Sequence, residues 1–252
     1  MHSGGEFVVT IRCENHEFPN IQAILFDKDG TLEDSQSFLR ELGYKRARMI
    51  DAQIPGIGDP LLMSFGIQDN ILDPTGLMAV GSRRENEIAA AAYIAETGRS
   101  WFESLAIARN AFIEADKYLQ DKAATSPLFT GSLEVLKFLS EAGLQLGILS
   151  ADSTAGIQSF VNGHQLSDYI QVMMGADRGL TKPDPALFWQ ACQELGVKPN
   201  STLMVGDSQG DIEMAKAAGA AGAIGICWGN PQAAYLEKAD VAIAQLDEIQ
   251  IL

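Results

Sequence analysis

Short apolar runs that stop abruptly at a polar or small residue recur along the chain: Ile21–Phe26, Gln145–Leu149, Ile170–Met174, Thr202–Val205 and Ala223–Cys227. Runs without polar alternation read as strands buried on both faces, as in a parallel sheet. Between them lie segments with helical spacing, Ser132–Glu141, Asp184–Leu195 and Asp211–Ala218, followed by Gly143, Gly196 and Gly219. Glycine just past a periodic segment is a helix stop. Strands alternating with helices imply βαβ units. The expected fold class is therefore α/β, a Rossmann-like parallel sheet covered on both faces. Ahead of it, Phe7–Arg12 has strand composition and is expected to add an edge strand or hairpin before the main sheet.

The middle of the chain reads as helical. Ser35 to about Ala52 carries Phe38, Leu39, Leu42 and Ala47 among its apolar positions, and Ile54–Pro60 has loop composition. Ser82–Thr97 is a strong helix, with Ile88, Ala91, Ala92 and Ala95 at helical spacing and Gly98 closing it. Ser100 is placed to cap a further helix running to about Leu119. The strand at 21–26 belongs with the alternating elements that follow. Residues 1–33 and 126–252 are thus expected to form one α/β core, and 34–125 an inserted α-helical cap.

Bulk properties narrow the function. The chain has 252 residues, 46% hydrophobic and 20% charged, as in a soluble globular protein. No apolar run reaches the ~20 residues that span a bilayer, and Met1–Asn20 lacks the pattern of a secretory signal, so the cytoplasm is the expected location. A net charge of −15 argues against nucleic acid or an anionic membrane as partner. Cys13, Cys192 and Cys227 are far apart and odd in number, which suits structural thiols in a reducing compartment. His2, His16 and His164 have no ligand spacing and are read as structural or surface residues.

The chemistry gathers where strands end. In Ile24-Leu25-Phe26-Asp27-Lys28-Asp29-Gly30-Thr31-Leu32, two acids sit two apart at the carboxyl end of a strand, where open α/β sheets place ligands. Carboxylates that close repel unless a cation or a shared proton relieves them. Strand alternation turns the Lys28 side chain away from both acids and makes it structural. The run Leu146–Leu149 ends at Ser150-Ala151-Asp152, with a hydroxyl and a backbone N–H suited to a phosphate, or to an ordinary strand cap. In Lys182-Pro183-Asp184-Pro185 the lysine immediately precedes a helix started by Asp184 and Pro185. Finally, Val205-Gly206-Asp207-Ser208-Gln209-Gly210-Asp211 places an acid at a strand end and a second four residues on. Asp211 is also placed to cap a helix starting at Ile212.

These segments, in this order, resemble the motifs of the haloacid dehalogenase (HAD) superfamily of phosphatases, phosphoglycolate phosphatases in particular, which carry a helical cap. The second motif often continues with Asn where this chain has Ala151-Asp152, so only the hydroxyl and backbone contacts carry over. The resemblance implies that Asp27 is the nucleophile and forms an aspartyl-phosphate. It implies that Asp29 protonates the leaving oxygen and then deprotonates water, and that Mg²⁺ is held by Asp27, Asp29 through its carbonyl, Asp207 and Asp211. Lys182, Ser150, Ala151 and backbone amides at Lys28 and Gly30 would cradle the phosphate. The substrate would be a small phosphorylated metabolite, on a monomer or homodimer. In the cap, Arg83 or Arg84 would clamp a substrate carboxylate or second phosphate, with Gly76–Gly81 facing the substrate; solvated surface arginines are the plainer reading. Competing expectations are a sugar phosphomutase of the β-phosphoglucomutase type, a pyrophosphatase, and a catalytically silent HAD-fold binding protein.

Overall fold

Ile24 and Phe26 pack on one side of a sheet, Ala23 and Leu25 on the other, and all four are fully buried. That burial on both faces explains why the first apolar run lacks polar alternation. The structure is a computed structural model and describes residues 8–117, 126–229 and 233–252. Its strands are Val9–Cys13 (β1), His16–Ile21 (β2), Ala23–Phe26 (β3), Ile67–Gln68 (β4), Ile71–Leu72 (β5), Gln145–Ser150 (β6), Val172–Gly175 (β7), Thr202–Gly206 (β8), Gly222–Ile226 (β9), Val241–Ile243 (β10) and Ile249–Ile251 (β11).

Two units result, residues 1–34 with 128–252 and residues 35–127. In the first, six parallel strands run in the order β10-β9-β8-β3-β6-β7. The chain leaves β3, builds β6 and β7 on one side, then returns to build β8, β9 and β10 on the other. The sheet therefore has its topological switch point at β3, and ligands of such sheets bind in the crevice beyond the strand ends there. Helices Ser132–Glu141 and Thr154–Gly163 send Leu136, Leu139, Ile157 and Val161 to one face. Pro185–Leu195 and Gln209–Ala218 send Leu187, Phe188, Ile212 and Met214 to the other.

The N-terminal expectation is met as a hairpin and corrected in its place. β1 and β2 join β11 in a separate antiparallel sheet of order β11-β1-β2, not the edge of the parallel one. Its inward residues, Ile11, Cys13, Phe18, Ile21 and Ile249, complete one side of the core. The run read as a single strand at 21–26 divides at Gln22 between the two sheets. Phe18 lies so close to β9 that a Cβ at Gly222 would overlap its ring. Cys13 and Cys192 are buried free thiols, and burial pushes them up to about 12 and about 11. His16 lies against Phe18 and His164 against Phe160; His2 and Phe7 lie outside the described residues.

In the second unit, helices Gln36–Asp51, Gly58–Phe65, Arg83–Glu96 and Trp101–Lys117 bury Phe38, Leu42, Ile50, Leu61, Phe65, Ile94 and Phe112 together. Ser82 and Glu85 form a reciprocal capping box at the start of the third helix. The segment read as loop through Pro60 is already helical from Gly58. Proline is tolerated in a first turn, where its missing N–H has no intrahelical partner to lose. Ile88 is exposed; the buried face is Asn86, Ala90, Ala91 and Ile94. In an alanine-rich helix several phases look equally apolar. The hairpin β4–β5 turns through Asp69 and Asn70, both at positive φ, as a tight hairpin turn requires. The last helix is described through Lys117, and the remainder of its expected span, to Leu119, lies outside the described residues. Among the described residues no helix is long and apolar enough to cross a membrane.

Candidate active site

The site is assembled by the ends of adjacent strands. Asp27 is the first residue past β3, and its backbone N–H donates to the Val205 carbonyl of β8. The chain then folds tightly, with the Lys28 carbonyl accepting from the N–H groups of Leu32 and Glu33. Gly30 sits at φ +82°, and a Cβ there would overlap the Asp207 carboxylate. Only glycine lets the turn after β3 approach the end of β8 this closely.

Asp27, Asp207 and Asp211 converge so that one carboxylate oxygen from each lies within 4.8 Å of the others. Lys182 stands among them, ion-paired to Asp27 and, at 2.7 Å, to Asp211 Oδ1. Asp27 is 5% exposed and Asp211 fully buried. Burial pushes the Asp27 carboxyl up to about 6 against the opposing pull of Lys182, with Asp211 and Asp29 adding repulsion. Asp207 is driven well above the ordinary carboxylate range by burial, then by Asp27 and Asp211. Lys182 is held in its charged form by Asp211 and Asp27 despite burial. One ammonium is thus set against three crowded carboxylates. The donor set is hard oxygen, which fits a divalent cation of the magnesium or calcium kind.

Each expected site residue has a definite place. Ser150, at the end of β6, is 2% exposed, and its hydroxyl accepts from the Asp152 backbone N–H at 3.1 Å. Ala151 follows it in the turn. Asp184 caps the next helix, accepting from the Ala186 N–H, with Pro185 in the first turn, as read. Asp211 is not the helix cap. The helix begins at Gln209 with Ser208 as cap, and Asp211 closes the capping box by accepting from the Ser208 backbone N–H at 3.2 Å, and accepts from the Ser208 hydroxyl as well at 2.6 Å. The Gly30 N–H donates to the Glu33 carbonyl, so the assignment of that amide to phosphate is corrected; Gly30 serves by lacking a side chain.

Lys28 requires the largest correction. Its ammonium lies 2.6 Å from Asp29 Oδ2, 2.9 Å from Glu33 Oε2 and 3.4 Å from Asp152 Oδ2, and the residue is fully buried. Strand alternation fails here because β3 ends at Phe26, so the side-chain directions after it are those of a turn. Glu33 and Asp152 were not singled out from sequence. The unused signal was a lysine inside a buried turn, which needs carboxylate partners.

Arg83 and Arg84 belong to the helical unit and are exposed. The Arg83 guanidinium is taken up by Glu87 at 2.9 Å and by Asp116. Asp116 also pairs, at 3.4 Å, with the buried Arg46, which lies over the Phe112 ring.

A family model described as haloacid dehalogenase-like hydrolase matches residues 21–219. The chain belongs to the haloacid dehalogenase-like hydrolases. This hydrolase is 30% identical over 203 residues to a phosphoglycolate phosphatase of Rhodospirillum rubrum, covering 79% of the chain and 76% of that protein. It is 28% identical over 200 residues to an N-acetylmuramic acid 6-phosphate phosphatase of Pseudomonas putida, covering 79% and 80%. A crystal structure described as a predicted phosphoglycolate phosphatase from Haemophilus somnus matches with a TM-score of 0.69 at 21% identity, over 90% of this chain and 95% of that one. A β-phosphoglucomutase from Clostridium difficile matches with 0.64 at 18% identity, over 91% and 93%. At these identities the structural matches speak for the fold. With the family match and the curated relatives, this hydrolase is a phosphatase of the HAD type.

Proposed function

We propose that this phosphatase hydrolyses a small phosphate monoester through an aspartyl-phosphate on Asp27, with Mg²⁺ as its metal. The observation that carries the reading is the convergence of Asp27, Asp207 and Asp211 around a single lysine. Asp27, Asp207 and the Asp29 carbonyl would hold the ion. Asp211, with its oxygens engaged by Ser208 and Lys182, would reach it through water. When bound, the metal supplies positive charge that screens the nucleophile from the substrate's phosphate.

The steps belong to the protein's own groups. An Asp27 carboxylate oxygen attacks phosphorus in line; the new O–P bond forms as the bond to the leaving oxygen breaks, and Asp29 gives that oxygen its proton. Asp29 then removes a proton from water, whose oxygen attacks the aspartyl-phosphate and frees Asp27. Lys182 and the Ser150 hydroxyl offer charge and a hydrogen bond to the phosphoryl oxygens. Phosphoglycolate and N-acetylmuramic acid 6-phosphate, named for the relatives, each combine a phosphate with a carboxylate, and that combination is the substrate class proposed here.

The test is phosphate release from a panel of p-nitrophenyl phosphate, phosphoglycolate, N-acetylmuramic acid 6-phosphate, glucose 6-phosphate and pyrophosphate. Turnover should vanish with EDTA and return with Mg²⁺, and the carboxylated esters should lead the panel in kcat/KM. Metal-independent turnover, or pyrophosphate as the leading substrate, would overturn the assignment.

A second expectation concerns stability. In the folded protein Asp27 titrates at about 6, above its ordinary 3.8, so ionising it costs the folded state more than the unfolded one. The penalty is absent below about pH 4, grows through the interval to about 6 and is complete above it; Asp207 acts in the same sense. Metal-free protein should therefore melt at a lower temperature at pH 7.5 than at pH 5. Added Mg²⁺ should raise Tm more at pH 7.5. Calorimetry at both pH values, with and without metal, checks this, and an equal metal effect at both would count against carboxylate ligation.

A further inference from the structure

Lys28 cannot touch a substrate: it is fully buried. Yet its ammonium is 2.6 Å from a carboxylate oxygen of Asp29, whose side chain keeps 15% exposure. The same ammonium holds Glu33, in the turn after β3, and Asp152, in the loop after β6. It also lies 5.7 Å from the Phe160 ring centroid, on the helix that follows Asp152. One charge thus ties the turn that carries Asp29 to the neighbouring loop and to the helix behind it. Stability alone does not ask for this. Three carboxylates around one buried ammonium leave excess negative charge, and an apolar side chain among neutral partners is commonly as stable or more so.

We propose that Lys28 is a positioning residue: its ammonium, anchored by Glu33 and Asp152, holds the Asp29 carboxylate in the orientation from which it exchanges a proton with the leaving oxygen and the attacking water. The idea rests on the reading of Asp29 as the acid–base group. It adds that Asp29 is aimed from beneath by a residue that never meets the substrate. The geometry favours this because a carboxylate in a turn has free rotation about its side-chain bonds, and a buried ion pair removes it.

The test compares an ester with a good leaving group, p-nitrophenyl phosphate, with the fastest alkyl monoester of the panel. Misplacing a reacting group by ~1 Å can cost about 10²-fold. Lys28→Met should lower kcat/KM, which reports the steps through departure of the leaving group, by about that factor on the alkyl ester and by only ~5-fold or less on p-nitrophenyl phosphate, because the aryl oxide needs little protonation. Hydrolysis of the aspartyl-phosphate is common to both esters and also uses Asp29, so kcat should fall on both. Lys28→Met/Glu33→Gln removes one excess carboxylate. It should recover Tm while kcat/KM on the alkyl ester stays low, and it serves as the kinetic variant if the single one does not fold. Glu33→Gln alone leaves Lys28 on Asp29 and keeps an amide oxygen that can accept from the ammonium, so it should move the ratio between the two esters far less than Lys28→Met does. Equal losses of kcat/KM on both esters, recovery of kcat/KM on the alkyl ester together with Tm, or a ratio shifted as far by Glu33→Gln as by Lys28→Met would assign the lysine to charge balance and overturn the proposal. Asp29→Asn separates the two levels. If its kcat/KM shows no leaving-group preference, the reading of Asp29 as the acid falls; if it shows one and the Lys28 variants do not, only the positioning role falls.

Discussion

Asp27→Asn is expected to abolish turnover and leave the fold standing. The carboxamide is nearly the same size and occupies the same place past β3, where the backbone bond to Val205 is unaffected. It lacks the anionic oxygen that attacks phosphorus, so kcat should fall by at least about 10⁴-fold on every substrate. Stability should move the other way. Burial and the neighbouring acids already make the ionised form of Asp27 costly, as its elevated pKa of about 6 records. Removing that charge should raise the Tm of metal-free protein at pH 7.5, with a smaller change at pH 5, where the carboxyl is largely protonated. Phosphate release, calorimetry and intact mass after a pulse of substrate check the three parts, and no phosphorylated protein should accumulate. Retention of more than a few per cent of activity, with deamidation excluded by mass, would remove Asp27 from the nucleophile's role.

Much of this site was legible because parallel strands write themselves plainly. β3, β6 and β8 are buried on both faces, so each is a continuous apolar run, and the residue at which the run stops is the residue at the ligand crevice. Asp27, Ser150 and Asp207 could be placed by that rule alone, and Lys182 by the Asp184-Pro185 helix start just after it. What escaped the reading lies where period-two logic no longer holds. Lys28 is two residues beyond the last paired position of β3, and its direction is set by a turn whose closing partners, Glu33 and Asp152, arrive from different segments.

Long-range pairing was equally hidden. β11 joins β1 across nearly the whole chain, with Ile251 opposite Ile11, and nothing local in three residues announces a partner that far away. The helical unit was misread in detail for a different reason. Between Arg83 and Glu96, alanines populate more than one helical face, and burial there is decided by neighbours such as Phe112 and by the polar Asn86, which bonds the Leu77, Gly81 and Ser82 carbonyls. Arg46 was passed over because a lone arginine on an apolar helix face gives no sign that Asp116 and the Phe112 ring wait for it.

Lys182→Met should separate the two tasks of the cation at the centre of the site. Its ammonium is the group that lowers the cost of Asp27 and Asp211 in the metal-free protein. Without it, Asp27, Asp207 and Asp211 face one another unrelieved, and removing one partner of a buried pair typically costs about 3–5 kcal/mol. The loss should follow pH. Lys182 pulls the Asp27 carboxyl down, so in its absence that group should titrate still higher and stay protonated closer to neutrality. Below about pH 4 Asp27 and Asp207 are neutral and the variant should melt close to wild type; the gap should open as pH rises through 6 and be widest at 7.5 and above. Mg²⁺ should close part of that gap, since a divalent ion relieves the same carboxylates. It should not restore activity, because the lysine's charge is also needed by the phosphoryl oxygens as the bond to Asp27 forms. A fall in kcat/KM of about 10³-fold, the same on p-nitrophenyl phosphate as on carboxylated esters, is the expected signature of a group acting on the phosphate itself. A gap in Tm that is flat with pH would mean that Lys182 stabilises by packing. Full activity with Mg²⁺ present would mean that the metal alone meets the phosphate, and Lys182 would then be only its placeholder among the acids.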